Sequence, residues 1–195
     1  MSENLITKRA IADALKELTR TKTFDKISVK DIALQCGINR QTFYYHFEDK
    51  FILLRWIYEN DLFEKYMNDV RFDNWTTRLE ELLTAMTKEK AFYVNTINHS
   101  EAYVQQYLLV QAQDLFKQAI NVIDESANAE GTKTVSSEQR DFIARFFAYG
   151  SCGIIIEWVS RGMNEEPGYI TTNMKTLKDL CERASYDFLS DRLSI

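Results

Sequence analysis

A short run near the N-terminus, residues 40–46, carries side chains that could bind a nucleic acid. Arg40 suits the O6 and N7 atoms of guanine, Gln41 suits N6 and N7 of adenine, and Thr42 can contact the methyl group of thymine. Hydroxyl, imidazole and ammonium groups close by can bind phosphates. The candidates for phosphate contacts are Ser28, Lys30, Tyr44, Tyr45, His46 and Lys50. Together these residues predict a surface that binds double-stranded DNA.

The spacing of the aromatic rings predicts a helix with two different faces. Phe43 and Phe47 are four residues apart, so they share one face of a helix. We expect this face to pack on Ile32 and Leu15 in a small core. Two further pairs then turn away from that core: Arg40 with Tyr44, and Gln41 with Tyr45. The crowded rings are therefore predicted to divide between packing and binding.

Three helices are predicted to hold this run in place. Apolar residues over 7–20 recur every three or four positions, which indicates an amphipathic helix. Ser28 is a suitable N-cap for a second, short helix that Gly37 ends, and Asn39 can cap a third helix that runs to about Phe47. Two short helices joined by a tight glycine turn, and braced by a preceding helix, form a helix-turn-helix unit.

Composition and charge agree with a helical, intracellular protein. Six glycines and one proline in 195 residues favour helices, and the three cysteines form neither a disulfide framework nor a metal-binding pattern. The net charge is −5, but residues 1–50 carry nine basic and seven acidic residues, leaving 15 basic and 22 acidic for the rest. We find no signal peptide and no membrane-spanning run, so we expect a cytoplasmic protein without membrane contact.

The sequence ISVKDIALQCGINRQTFYYHFEDKFILL resembles the DNA-binding segment of the TetR family of bacterial transcription regulators over about residues 6–58. The resemblance implies base contacts by Arg40, Gln41, Thr42 and Tyr45; phosphate contacts by Ser28, Lys30, Tyr44, His46 and Lys50; and packing by Ile32, Ala33, Ile38, Phe43 and Phe47. It also implies a homodimer on a near-palindromic operator. Residues 40–62 more loosely resemble regulators of dihydroxyacetone kinase operons, some of which activate transcription with a partner protein, which leaves activation or repression open.

The predicted fold class is all-α. An N-terminal three-helix DNA-binding domain, residues 1–48, precedes a larger helical bundle, residues 49–195, with about nine helices in total. The fourth helix, from Lys50 to about Asn68, connects the two parts. Further helices are predicted over residues 75–87, 90–99, 101–124, 137–161 and 170–193, separated by clear breaks at 124–137 and 162–168.

The last two predicted helices, about 137–161 and 170–193, are candidates for the dimer interface. The stretch FFAYGSCGIIIEWV is apolar and includes Gly150 and Gly153, which would let helices approach closely. The resemblance places family dimerisation in these helices. A buried helix within one subunit would have a similar composition.

Aromatic residues of the later helices are typical either of a core or of a small-molecule pocket. The candidates are Trp75, Phe92, Tyr93, His99, Tyr103, Tyr107, Phe116 and Trp158. A protein co-regulator could use this surface instead of a small effector. No phosphate loop, nucleophile motif or metal-spaced His/Cys set is present, so no enzyme activity and no cofactor or metal is expected. The competing hypothesis is a helical adaptor or co-activator that acts mainly through a protein partner.

Overall fold

The computed structural model describes residues 3–71, 73–129 and 136–193, and of 123–129 and 181–193 it describes only the helical backbone. Within these ranges the chain forms nine α-helices and no strand. The helices are α1 (Glu3–Leu18), α2 (Val29–Cys36), α3 (Arg40–His46), α4 (Lys50–Tyr58), α5 (Trp75–Lys88), α6 (Lys90–His99), α7 (Tyr103–Ala129), α8 (Ser137–Ser160) and α9 (Pro167–Leu193). The predicted all-α class is confirmed.

The starts of α2, α3 and α4 are fixed by side-chain caps. The Ser28 hydroxyl accepts from the Asp31 amide at 3.2 Å while the Asp31 carboxylate accepts from the Ser28 amide at 2.8 Å. Asn39 accepts from the Thr42 amide at 2.8 Å, and Asp49 accepts from two amides in the first turn of α4. Because these caps satisfy amides that a helix start leaves free, they set the helix boundaries locally.

The turn between α2 and α3 requires a glycine. Gly37 has φ 72° and ψ 25°, in the left-handed region, and its amide donates to the carbonyls of Ala33 and Leu34. A residue with a Cβ is strained in this conformation, whereas glycine is not. Gly37 therefore ends α2 and redirects the chain into α3, as the sequence predicts.

A continuous apolar core joins the helix-turn-helix to the later helices. Its N-terminal part contains Ile11, Leu15, Ile32, Phe43 and Phe47, all buried. The same cluster continues through the buried residues of α4 into α6, α7 and α8, namely Leu53, Leu54, Ile57, Tyr58, Phe92, Tyr93, Ile97, Leu108, Cys152 and Trp158. The helix-turn-helix consequently packs directly on the C-terminal helices.

The connecting helix differs from its prediction. The α-helical part ends at Tyr58, and the same rod continues as a π-helical segment over Glu59–Met67. A π-helix has wider i→i+5 hydrogen bonds and commonly marks a functional position in a helix. Further along, α7 starts two residues later than predicted because Glu101 and Ala102 have positive φ values of 53° and 65°. The helix α9 begins at Pro167, where proline is well suited to a first helical position.

The helices α7 and α8 pack against each other, and α9 packs on α5. By length and composition α8 could cross a bilayer, but apolar helices of soluble proteins pass the same test. Only 28% of its most apolar stretch is buried within the chain. Large side chains of this helix stand exposed, namely Phe142, Phe146, Tyr149 and Ile154. These side chains give α8 an exposed apolar surface.

Candidate DNA-binding surface

The two faces of α3 are as different as the ring spacing predicts. Phe43 is fully buried, and Phe47, the C-cap of α3, is 3% exposed. By contrast, Tyr44 is 54% exposed and Tyr45 is 79% exposed. The Phe43 ring contacts Phe47 at 6.0 Å between centroids, and Phe47 in turn contacts Trp56 of α4. This packing holds one face of α3 on the core, so the opposite face is presented outward.

The predicted base-contacting residues lie at the start of α3 and on its outer face. Arg40, Gln41 and Tyr45 are exposed. Across the residues that the structure describes, the polar ends of Arg40 and Gln41 have no hydrogen-bond partner and are available to a ligand. Thr42 is half-buried in the first turn of α3. Its hydroxyl donates to the Asn39 side chain at 3.1 Å and so supports the N-cap.

The predicted phosphate contacts on α2 have different surroundings. Lys30 is exposed. The Ser28 hydroxyl donates to the Asp31 carboxylate at 2.7 Å, and the Lys22 ammonium donates to the same oxygen at 2.9 Å. These hydrogen bonds from Ser28 and Lys22 hold the pKa of Asp31 well below its ordinary value. A phosphate at this helix start would therefore meet Lys30 and backbone amides more readily than a free serine hydroxyl.

Lys50 is placed differently from the prediction of a phosphate contact. Its ammonium donates to the carbonyls of Phe24, Asp25 and Ile27 at 2.8, 3.0 and 2.8 Å. An ammonium has three donors, and all three are used here. Burial lowers the pKa of Lys50, in keeping with its partly enclosed position over the Phe24 ring. Lys50 thus ties α4 to the segment between α1 and α2, and a phosphate contact would require it to give up one of these bonds.

Tyr44 and His46 border the buried face of α3. The Tyr44 ring contacts the edge of Phe43 at 5.7 Å, and His46 lies edge-on to Tyr45 at 5.0 Å. His46 is half-buried, and its Nδ1 atom is buried with no hydrogen-bond partner among the described residues. Both side chains lie on α3 near its outward residues, Tyr44 exposed and His46 partly so.

Comparison with known proteins agrees with this geometry. Residues 11–55 match the family model described as bacterial regulatory proteins, tetR family, and residues 73–179 match one described as transcriptional regulator C-terminal region. The HTH-type dhaKLM operon transcriptional activator DhaS of Lactococcus lactis subsp. lactis (strain IL1403) is 30% identical over 169 residues, covering 87% of this chain and 88% of that protein.

The chain belongs to the TetR family.

Two solved structures align over most of this TetR-family chain. A structure of the dihydroxyacetone kinase operon activator DhaS aligns with a TM-score of 0.67 and 28% identity, covering 89% of this chain and 94% of that one. Salmonella enterica GusR aligns with a TM-score of 0.55 and 18% identity, covering 91% and 95% of the two chains, and shares the fold. The two family matches leave residues 56–72 between them, which include the π-helical segment.

The structure does not gather the predicted pocket residues of this TetR-family protein around one cavity. Phe92 and Tyr93 pack on Tyr58 in the core, and the indole N–H of Trp158 donates to the Glu165 carbonyl at 2.9 Å. His99 is exposed and Trp75 half-buried at the start of α5. The remaining members lie elsewhere: Tyr103 on Phe51, Tyr107 with Phe63 and the Glu59 carboxylate, and Phe116 stacked on Phe147.

Two surface clefts lie instead along α7 and the start of α8. One has a volume of about 480 Å³ and a mixed charged lining of Gln113, Asp114, Lys117, Glu138, Asp141, Ala144 and Arg145. The other is lined by Ser136, Glu138, Gln139, Phe142 and Ile143. Neither contains a predicted pocket residue. No group of three or more potential metal-binding side chains occurs among the described residues.

Two residues that join the helix-turn-helix to the later helices were missed by sequence reasoning. They are Asn95 in α6 and Asp61 in the π-helical segment, and each makes several polar contacts with α1 or with the chain after it. Asn95 stands as one amide within the mostly apolar stretch AFYVNTI, and this was the available signal. Asp61 carried no comparable signal, since acidic residues are frequent on exposed helix faces.

Proposed function

We propose that this protein is a sequence-specific DNA-binding transcription regulator that acts in the cytoplasm as a homodimer on a near-palindromic operator. The observation that carries the proposal is the division of α3, with Phe43 buried against the core and Arg40, Gln41 and Tyr45 exposed. Membership of the TetR family supports operator binding, a function that involves no catalysis.

The proposed contacts follow the accessible groups. Arg40 and Gln41, with the Thr42 methyl and Tyr45, contact base edges in the major groove. The proposed backbone contacts come from Lys30, Tyr44 and His46, which fix the helix on the duplex. Ser28 joins them only if its hydroxyl leaves the Asp31 carboxylate. Lys50 is assigned instead to holding the loop after α1 in place, because its three donors are occupied.

The proposed dimer interface comprises α8 together with α9. Phe146 is 67% exposed and Phe142 is 61% exposed, and they continue along α8 to Tyr149 and Ile154. A Cβ at Gly150 or Gly153 would meet no atom within 4 Å in the single chain, so this face has room for a close-packed partner helix. On α9 the side chains of Tyr169, Leu177 and Leu180 are also exposed. In a two-fold interface each of these side chains is buried twice.

Analytical ultracentrifugation, which measures the oligomeric state, tests this interface. The wild-type chain is expected to be a dimer at micromolar concentration, and Phe146→Glu is expected to raise the dimer dissociation constant about a hundredfold or more, since two buried phenylalanines are lost. Leu34→Glu is a matched control because Leu34 is similarly exposed but lies on α2. A monomeric wild type, or equal effects of the two substitutions, would contradict the assignment.

Regulation is proposed to come through the C-terminal helices. An effector, either a small molecule or a protein co-regulator, changes operator affinity only if it binds better to one arrangement of the two recognition helices. DhaS, which is 30% identical over 87% of this chain, is named as an activator of the dhaKLM operon, and a solved structure carries the name dihydroxyacetone kinase operon activator DhaS. These names favour activation as the sign and such an operon as the first target to test.

Selection from random double-stranded DNA at low salt tests the function itself. The purified 195-residue chain is expected to enrich an inverted repeat whose half-sites are one helical turn, or a small multiple, apart. If no sequence is enriched above background, operator binding fails and the adaptor hypothesis takes its place. A panel of metabolites and cell extract, scored by the shift in operator affinity, then tests for an effector.

A further inference from the structure

The segment between α1 and α2 is held from the C-terminal side by one carboxamide. The Asn95 Oδ1 atom in α6 accepts from the Phe24 amide at 2.8 Å, and its Nδ2 atom donates to the carbonyls of Thr19 and Lys22 at 2.7 and 2.9 Å. These are backbone groups just beyond the end of α1 and at the start of the 3₁₀ turn Phe24–Lys26. Only a side chain with an acceptor and two donors satisfies all three.

A second polar contact holds the body of α1. The Asp61 carboxylate, in the π-helical segment, pairs with Arg9 and accepts from the Lys16 ammonium at 2.6 Å. Lys16 also pairs with Glu89, which directly precedes α6, at 2.8 Å. The Lys16 and Asp61 side chains are only 16% and 18% exposed, so this contact is better shielded from water than an ordinary surface ion pair.

The two contacts lie on different elements and therefore restrict rotation as well as translation of α1. Asn95 fixes the chain after the end of α1, and Asp61 pairs with Arg9 in the middle of α1 and with Lys16 in its last turn. The helix α6 also packs on α8, the proposed dimer helix. The position of each helix-turn-helix relative to the two-fold axis thus depends on these contacts as well as on the apolar core.

We infer that Asn95 and Asp61 are positioning residues that set the separation and tilt of the two recognition helices, and so determine which half-site spacing the dimer accepts. The inference rests on the proposed function. Adding one base pair between half-sites moves the second one by about 3.4 Å along the axis and rotates it by roughly 35° around the duplex. A firmly held helix-turn-helix cannot follow such a change, whereas a loosened one can.

The test uses the operator selected by the wild-type chain and derivatives with one or two base pairs added to or removed from the spacer. Fluorescence anisotropy gives the dissociation constant for each operator. The constant at a shifted spacing divided by the constant at the optimal spacing measures the spacing preference. Asn95→Ala and Asp61→Asn are each expected to lower this ratio about threefold or more. Base preference within a half-site is expected to stay unchanged, since α3 itself is untouched.

Matched controls come from the same elements or next to them. Asn98 also lies in α6, but among the described residues its side chain donates only to the Ser160 carbonyl, at 3.4 Å. Asp69 follows the π-helical segment but pairs with Arg78 rather than with α1. Asn98→Ala and Asp69→Asn are expected to keep the wild-type spacing ratio. Circular dichroism melts verify folding, and Asp61→Asn, a near-isosteric change, decides the matter if Asn95→Ala does not fold.

The possible results separate the two proposals. If the wild type binds its operator but the folded Asn95 and Asp61 variants keep its spacing ratio, the positioning role is wrong and operator binding stands. The same conclusion follows if affinity falls equally at every spacing, because that pattern reflects stability alone. If the wild type binds no operator, the proposed function fails and the positioning role fails with it.

Discussion

At the scale of single residues, two lysines near the candidate DNA-binding surface have different surroundings. Lys50 gives all three donors to backbone carbonyls, whereas Lys30 is exposed on α2. Residue type and position in the motif could not separate them, because both looked like cations beside a phosphate backbone. The distinction depends on where the loop after α1 passes, which is a property of tertiary packing.

Lys50→Ala is expected to lower the free energy of unfolding by about 1–3 kcal/mol, since it removes charged hydrogen bonds to three carbonyls. Lys30→Ala is expected to change stability by less than about 0.5 kcal/mol, as substitutions at exposed sites usually do. In operator binding, Lys30→Ala should instead reduce the slope of log K against log[salt] by about 1, the loss expected for one phosphate contact. Urea denaturation and salt titrations of both variants measure this, and a reversed pattern would restore Lys50 as a phosphate contact.

The capping carboxylate Asp31 predicts a dependence of stability on acid pH. Hydrogen bonds from Ser28 and Lys22 lower its pKa in the folded chain below the unfolded value of about 3.9. The stabilisation is therefore fully present above that value and is lost as pH falls through the folded pKa. Urea denaturation from pH 7 to pH 3 should show Asp31→Asn losing less stability with acid than wild type does. Parallel pH curves would contradict the prediction.

At the scale of elements, the helix-turn-helix could be predicted closely because its boundaries are set by short-range chemistry. Ser28 and Asn39 cap the amides of the following turn, and Gly37 supplies the left-handed residue between them. Each signal lies within four residues of the boundary it sets. The face of α3 was predictable for the same reason, since Phe43 and Phe47 are one helical turn apart.

Substitution of Gly37 measures how much that turn depends on glycine. No atom lies within 4 Å of a Cβ added there, so the cost of a side chain comes from the backbone conformation at φ 72° alone. Gly37→Ala is expected to destabilise the fold by about 1–2 kcal/mol. Gly37→Asn should cost clearly less because asparagine tolerates the left-handed region. Equal losses for the two variants, measured by urea denaturation, would point to a different cause.

Other elements could not be predicted from the sequence. The change from α-helix to π-helix at Glu59 has no periodic signal, since the wider hydrogen bonds shift the register without altering residue types. The contacts of Asn95 cross more than seventy positions in the chain. The aromatic residues of α6 were ambiguous for another reason, because rings at helical spacing are typical of both a core and a pocket. Phe92 and Tyr93 lie in the core.

At the scale of the whole molecule, the chain combines a locally basic DNA-binding end with an acidic C-terminal part. The net charge of −5 conceals this division, which follows from the charge count of residues 1–50. The continuous core and the contacts of Asn95 and Asp61 join the helix-turn-helix to the C-terminal helices. This continuous packing connects α8, the proposed dimer helix, with the helix-turn-helix, and it is the path by which the proposed regulation would act on operator affinity.

If the outward face of α3 selects the operator, as proposed, two arginine variants should differ in operator discrimination. Arg40 starts α3, whereas Arg71 is an exposed arginine that pairs with Asp73 after the π-helical segment. In anisotropy titrations of the selected operator against a scrambled duplex, Arg40→Ala should reduce discrimination by about 1–3 kcal/mol. Arg71→Ala should leave it unchanged. Equal discrimination by wild type and Arg40→Ala would contradict this role of α3.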